Sequence, residues 1–254
     1  MDMDPKVIRS GLVRSAFLLS LGLIVSTFVA GGVAYKVKSL GNTISVTGSA
    51  ERTIVSDTVK WSGRLSRNVA VDGLKDGNAA IKADLAAALR VVHDAGVDDS
   101  QITVRPLNVY AVYGSDDPNK PYAAQNRIVG YNLDQSFQVE SSDVKGVTRL
   151  AQDVADRMLQ SGVVFTTESL EYYYSKLADL KLEMLSEATG NAKARADRIA
   201  ASTGAKLGAL SSAGMGVFQV TAVNSTDISD YGAYDTTSID KKVTAVARTE
   251  FLLR

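Results

Sequence analysis

Residues 15–35, SAFLLSLGLIVSTFVAGGVAY, run for twenty-one positions without a charge, between Arg14 and Lys36. A helix of about 20 predominantly apolar residues is what a bilayer core demands. Ten strongly apolar side chains lie here: Phe17, Leu18, Leu19, Leu21, Leu23, Ile24, Val25, Phe28, Val29 and Val33. Near a helix centre each favours insertion by roughly 0.3–0.6 kcal/mol, about 3–6 kcal/mol together. Ser26, Thr27 and the glycines subtract from that. The expectation is a transmembrane helix over about 15–35, within an anchor segment 1–38. The alternative is a cleaved secretory signal, with Lys6, Arg9 and Arg14 as its basic start and Gly32-Val33-Ala34 as a small-x-small site. An uncharged run beyond the usual 7–15 residues of a signal core favours the retained anchor. Both readings export the bulk of the chain. Three basic residues before the span against two close after it, Lys36 and Lys38, put the N-terminus on the cytoplasmic side. Gly22, Ser26, Ala30 and Ala34 recur every fourth position, a spacing that lets membrane helices approach one another.

Residues 39–254 form the exported domain. The chain holds 28 basic and 28 acidic residues; removing the five and the two that precede residue 39 leaves 23 and 26, a net charge of −3. Nucleic-acid binders gather Lys and Arg in a patch or stripe, and this domain does not, so no nucleic-acid partner is expected. There is no cysteine, which removes disulfides, thiol catalysis and thiolate metal sites.

Period-two alternation marks strands at 43–50 (Ile44, Val46) and at Val59, Trp61, Gly63 and Leu65, with Ile54–Asp57 between them read as a turn. A helical period begins at Val71 and runs through Leu74, Ile81, Leu85, Ala88, Leu89 and Val92 to a stop at Gly96. Strand signals return at 102–113 and at 128–139, where Val129, Tyr131, Leu133, Gln135, Phe137 and Val139 share a face. The polar loop between them, about 114–127, makes a long-tipped hairpin. A second helix over 143–161 turns Val147, Leu150, Ala151, Val154 and Met158 inward and ends at Gly162. A strand over 166–174 follows, then a long helix over 176–203. Its inner stripe is Leu177, Leu180, Met184, Ala188, Ala192, Ala196 and Ile199, and Gly204 closes it. Alanines in that stripe allow close approach to a neighbour. Strands at 207–223 and 243–253 finish the chain. Hairpins outnumber crossovers, so the fold class is α+β: an N-terminal transmembrane helix, then a mainly antiparallel sheet with packed amphipathic helices.

No catalytic constellation assembles. His93, the single histidine, lies near a helix C-terminus and suits the dipole there. One histidine without cysteine cannot complete the usual zinc ligand sets, and no G-x-S-x-G elbow presents a serine. Gly214-Met215-Gly216 lacks the third glycine and the following helix of a dinucleotide loop. Asp227, Asp230, Asp235 and Asp240 do not match a calcium-loop spacing. Glu168 and Glu171 differ in strand parity and do not form a carboxylate pair on one face. No catalytic residue, cofactor or metal is expected. Tyr172, Tyr173 and Tyr174 are the exception worth following: in a strand the first and third share one face and Tyr173 takes the other. Ordinary sheet packing, a subunit interface and a ligand groove all fit tyrosine's apolar ring and polar tip.

The segments ISVTGSAE, HDAGVDDSQITV, VGYNLDQSFQV and ATGNAKARADRIAASTGAKLG, in that order and spacing, resemble the bacterial SIMPL-domain family over residues 43–253. Ser56, before Asp57, departs from the proline common there, which leaves the local turn in question. The resemblance implies a SIMPL-type exported cell-envelope domain with ring- or cage-like homo-oligomers, linked to envelope integrity and oxidative-stress tolerance. It brings no catalytic mechanism. The expectation is a non-enzymatic protein of the bacterial inner membrane, single-pass, with a periplasmic C-terminal domain and a homo-oligomeric assembly. A periplasmic small-molecule or lipid-binding module is the alternative.

Overall fold

The computed structural model describes residues 19–33, 42–114 and 127–254. Helix α1 covers 19–33. At 1.5 Å per residue these fifteen described residues cover about 22 Å, against a hydrocarbon core of about 30 Å. No helix among the described residues is long and apolar enough to cross a membrane. Both ends of the span expected at 15–35, Ala34 included, lie outside the described residues, as does most of the loop expected at 114–127.

The rest is α+β with largely antiparallel pairing. Strands β1 (Thr43–Val55) and β2 (Thr58–Ala70) come first, then α2 (Leu74–Asp94), β3 (Ile102–Val104), β4 (Asn108–Gly114) and β5 (Arg127–Ser141). Helix α3 (Val144–Gln160), β6 (Val164–Tyr173) and α4 (Leu177–Ser202) follow. Strands β7 (Leu207–Met215), β8 (Gln219–Ala222), β9 (Ala233–Tyr234) and β10 (Asp240–Leu253) close the chain. It divides into two compact units: one of Glu51–Leu182 and Val217–Thr244, the other of Met1–Ala50, Glu183–Gly216 and Ala245–Arg254.

The first of these units is built on β2. It pairs antiparallel with β5 from Val59–Ser141 to Ala70–Gly130 and with β6 on its other side, giving the order β3-β5-β2-β6 with β4 also on β5. Alternation decides the rest. Val59, Trp61 and Leu65 are fully buried with Leu133, Phe137 and Val139 of β5, and α2 and α3 cover that face through Ile81, Ala88, Val92, Val147, Leu150 and Val154. Trp61 meets Phe137 edge-on at 5.3 Å, and Phe165 lies 6.2 Å from both rings. A Cβ on Gly63 would fall 2.6 Å from the Phe165 ring, so the missing side chain is what admits the aromatic trio. Arg67 of β2 forks onto Asp84 of α2, which is 8% exposed. A charge-assisted pair of that geometry fixes orientation as well as binding.

In the other unit α4 lies over β1. Its buried stripe is strictly every fourth residue: Met184, Ala188, Ala192, Ala196 and Ala200. Ile199, expected inward, is 46% exposed, and Ala200 takes its place. The alanines bring the helix backbone so close that a Cβ on Gly48 would sit 2.2 Å from the Ala188 carbonyl oxygen and 2.3 Å from the Ala192 nitrogen. Strand β7 pairs with the far end of β10, from Ala247–Met215 to Leu253–Leu207.

Three expectations need adjusting. Ile54 and Val55 belong to β1, so only Ser56 and Asp57 turn. The run at 102–113 breaks at Arg105–Leu107 into β3 and β4, where Pro106 cannot donate to a ladder. The run at 207–223 breaks into β7 and β8. The expected helix stops Gly96, Gly162 and Gly204 all take positive φ.

Gly48→Ala should cost about 3 kcal/mol, the upper end for an overpacked site, because the obstacle is helix backbone. Thermal denaturation checks it; an unchanged midpoint would refute the close contact between β1 and α4.

Candidate functional site

The tyrosines expected at 172–174 lie at a corner of the unit holding β2. Strand β6 ends at Tyr173, so Tyr174 falls outside the alternation. Tyr172 is buried, its hydroxyl 3.0 Å from Thr148 Oγ1 of α3. Tyr173 points to the face away from the helices and donates to Glu171 at 2.8 Å. The Tyr234 ring lies 6.4 Å from it, and the Lys60 ammonium is 5.5 Å from its centroid. The three tyrosines do not form one cluster; the one that Tyr173 joins is Lys60, Glu171, Tyr234.

Backbone hydrogen bonds build the corner from three segments. The Ser56 amide donates to Ile239 O at 2.9 Å, Asp57 N to Tyr173 O at 2.9 Å, and Tyr172 N to Thr236 O at 2.7 Å. The first is a bond that a proline at position 56 could not donate. Serine thus gives this turn an anchor of its own. Asp57 then receives the Ser175 amide at 2.8 Å and the Ser175 hydroxyl at 2.7 Å, just ahead of α4. Burial pushes the Asp57 carboxyl up, but those bonds outweigh it and hold it below its ordinary value.

Behind the corner sits Lys241, 1% exposed. Its Nζ donates to the carbonyls of Asp235, at 2.7 Å, and Ser238, and lies 3.8 Å from Asp235 Oδ2. Burial pulls the Lys241 pKa down while the Asp235 charge opposes it. Asp235 accepts from the Thr237 amide and hydroxyl, both at 2.8 Å. Burial alone would raise its pKa; the side chains of Ser238 and Thr237, the Thr237 amide and Lys241 draw it down to about 2. The hydrogen bond to Glu171, then burial, push Tyr173 up to about 12. A general acid or base works best with a pKa near the working pH. Asp57, Asp235 and Tyr173 are all driven away from neutrality.

The open face of the sheet continues outward from the corner. Lys60 pairs with Glu140 at 3.2 Å. Arg64 bonds Glu168 and lies 3.9 Å from Asp134. Glu168 reaches this face because β6 bulges: Ser62 faces Ser169 and Gly63 faces Thr167, leaving Glu168 as the extra residue. Parity counting therefore fails there, and Glu168 and Glu171 turn to the same face, each with a different partner. Among the described residues no group of three or more His, Cys, Asp or Glu side chains could hold a metal ion. His93 Nε2 lies 3.0 Å from Asp99 Oδ1 beside the α2 C-terminus.

Of the small residues recurring every fourth position, Gly22, Ser26 and Ala30 lie along one side of α1, lining a shallow groove with Leu21, Val25 and Val29. The pair Asp235–Lys241 was missed from sequence, although Lys241 shares strand parity with buried Val243, Ala245 and Ala247. A lysine on a core-facing parity was the available signal.

The family model described as SIMPL, protein of unknown function (DUF541), matches residues 44–251. No curated protein matches the chain.

Because the folded Asp235 pKa lies below its unfolded value near 3.8, its contribution is complete above about pH 4 and is lost as pH falls through about 2. It amounts to about 2 kcal/mol. In urea melts the gap between the wild type and Asp235→Asn should shrink from pH 6 to pH 2; an equal gap at both would refute the assignment.

Proposed function

This chain belongs to the SIMPL family, and from that premise we propose that it is a non-enzymatic, membrane-tethered envelope protein that works as a homo-oligomeric enclosure, ring- or cage-like. Residues 1–38 are the anchor, with the N-terminus cytoplasmic. Residues 39–254 act in the periplasm, in support of envelope integrity or tolerance of oxidative stress.

The observation that carries the reading is α1. All its residues are exposed, with Leu19, Leu23 and Phe28 more than 70% so. A helix apolar all round requires cover from lipid or protein. Two of its hydroxyls are matched within the helix: Ser26 and Thr27 donate to Leu23 O at 2.9 and 2.7 Å. That is the arrangement a hydrocarbon surrounding demands, where an unmatched donor costs several kcal/mol. The groove along Gly22, Ser26 and Ala30 suits packing of one anchor against another. The polar corner supports a structural role, since its charged groups are engaged by neighbouring backbone and hydroxyls.

The second reading, a small-molecule or lipid-binding module, draws on the half-exposed Tyr173 and Tyr234 rings beside Lys60. A thermal-shift screen against envelope lipids would favour it if Tyr234→Ala abolished a ligand-induced rise.

The full chain should fractionate with membranes and, purified in detergent, show a mass several times that of one copy. Removing residues 1–38 should release the domain from membranes. A strictly monomeric full-length species would refute the assembly, and a truncated domain that remains membrane-bound would refute the anchor.

A further inference from the structure

We propose that β4 is the edge along which a second copy of this chain adds, by antiparallel pairing of β4 with β4 about a two-fold axis at Ala111. The proposal rests on the homo-oligomer reading and names its interface.

Among the described residues β4 pairs only with β5, through Asn108–Asp134 to Gly114–Arg127. Among the described residues nothing pairs with its outer row of N–H and C=O groups. Folded proteins normally blunt such an edge with lysine, proline, a bulge or a covering segment. The seven residues of β4, NVYAVYG, contain no charge and no proline. The one irregularity of this pairing leaves Val129 of β5 as the extra residue, because Val112 faces Gly130 and Tyr113 faces Ile128. Strand β4 itself stays in step. The opposite edge of the sheet, β6, is partly closed by the bond from Tyr172 N to Thr236 O.

The strand is self-complementary. With Ala111 opposite Ala111, Val109 faces Tyr113 of the other copy and Tyr110 faces Val112. Every branched side chain meets an aromatic one, a cross-strand pair type that stabilises antiparallel sheets. Charges close to a two-fold axis would face one another across it, and this strand has none. The exposed side chains supply most of the area such a contact needs. Val109, Tyr110, Val112 and Tyr113 are 45%, 56%, 39% and 58% exposed. With about 150–250 Å² for a whole tyrosine, they leave on the order of 400 Å² per copy. Two copies with their paired backbones approach the roughly 1,000 Å² that a specific contact needs.

The chain has no cysteine, so a single introduced thiol is unambiguous. Residues opposite each other in an antiparallel pair have Cα atoms about 4.5–5.5 Å apart, within the usual 4.4–6.8 Å of a disulfide. Full-length Ala111→Cys, oxidised in detergent, should run mainly as a linked dimer on non-reducing gels, whereas Gln160→Cys, exposed on α3, should not. Tyr110→Lys and Tyr113→Lys, on opposite faces of the strand, should each about halve the particle mass by breaking one two-fold contact, with thermal midpoints unchanged. If the wild type assembles, yet Ala111→Cys links no better than Gln160→Cys and both lysine variants keep the wild-type mass, the β4 contact is refuted and the oligomer reading stands. A wild type that is monomeric and gives no linked Ala111→Cys dimer overturns both.

Discussion

Strand β2 must satisfy two environments at once. Its odd-numbered positions present Val59, Trp61, Gly63 and Leu65 to a dry core, and its even-numbered positions carry Lys60, Ser62, Arg64 and Ser66. A shift of one residue would exchange the two sets, turning Trp61 to water and Arg64 into the aromatic cluster. That penalty fixes the register against both β5 and β6. With the register set, the helices can cover only one face, and Arg67 reaches Asp84 of α2 from that same side. The charged face is left to pair across strands and to host the Tyr173 corner.

The other unit meets a different constraint, the thickness of its own backbone. Residues 184–200 give α4 a stripe with an exact four-residue repeat, and from Ala188 onward every member is alanine. A repeat of four on a helix of 3.6 residues per turn drifts slowly around the axis, so the stripe tracks obliquely. Small side chains bring the helix down onto β1, and Gly48 supplies the matching absence on the strand. Contact here is backbone against backbone. Arg195 donating to Thr47 O at 3.1 Å and the Ser49 amide to Asn191 Oδ1 at 3.4 Å line its margins.

Much of this was legible from periodicity. The inward positions of α3 and the shared face of Leu133, Gln135, Phe137 and Val139 follow from counting, because the dominant force on them is burial. What counting missed lies where the chain leaves its regular period. The bulge at Glu168 inverted the parity of that carboxylate. Tyr174 lay one residue past the strand that was to orient it. Ile199 yielded its inner place to Ala200 because the stripe keeps a step of four, where a 3.6 average had suggested three. Lys241 was hidden for another reason: composition treats lysine as surface, and the carbonyls of a loop folding back over it, with the Asp235 carboxylate nearby, make its burial tolerable. The corner could be suspected from the tyrosine run, but its members Tyr234 and Lys60 are more than a hundred and seventy positions apart.

The two bulges show how one sheet acquires edges of different character. A bulge adds local twist and re-aims a side chain. On β6 the extra residue brings Glu168 to Arg64, and the same strand is tied at its end to the segment around Thr236, so that edge is partly closed from within the unit. On β5 the extra residue is Val129, which packs its methyls against Gly114 of β4. That irregularity is absorbed by the inner strand, and β4 itself carries no extra residue. A distortion placed on an outer strand discourages pairing with another chain. Here the distortion lies one strand inward, and charge is absent from the strand that remains straight.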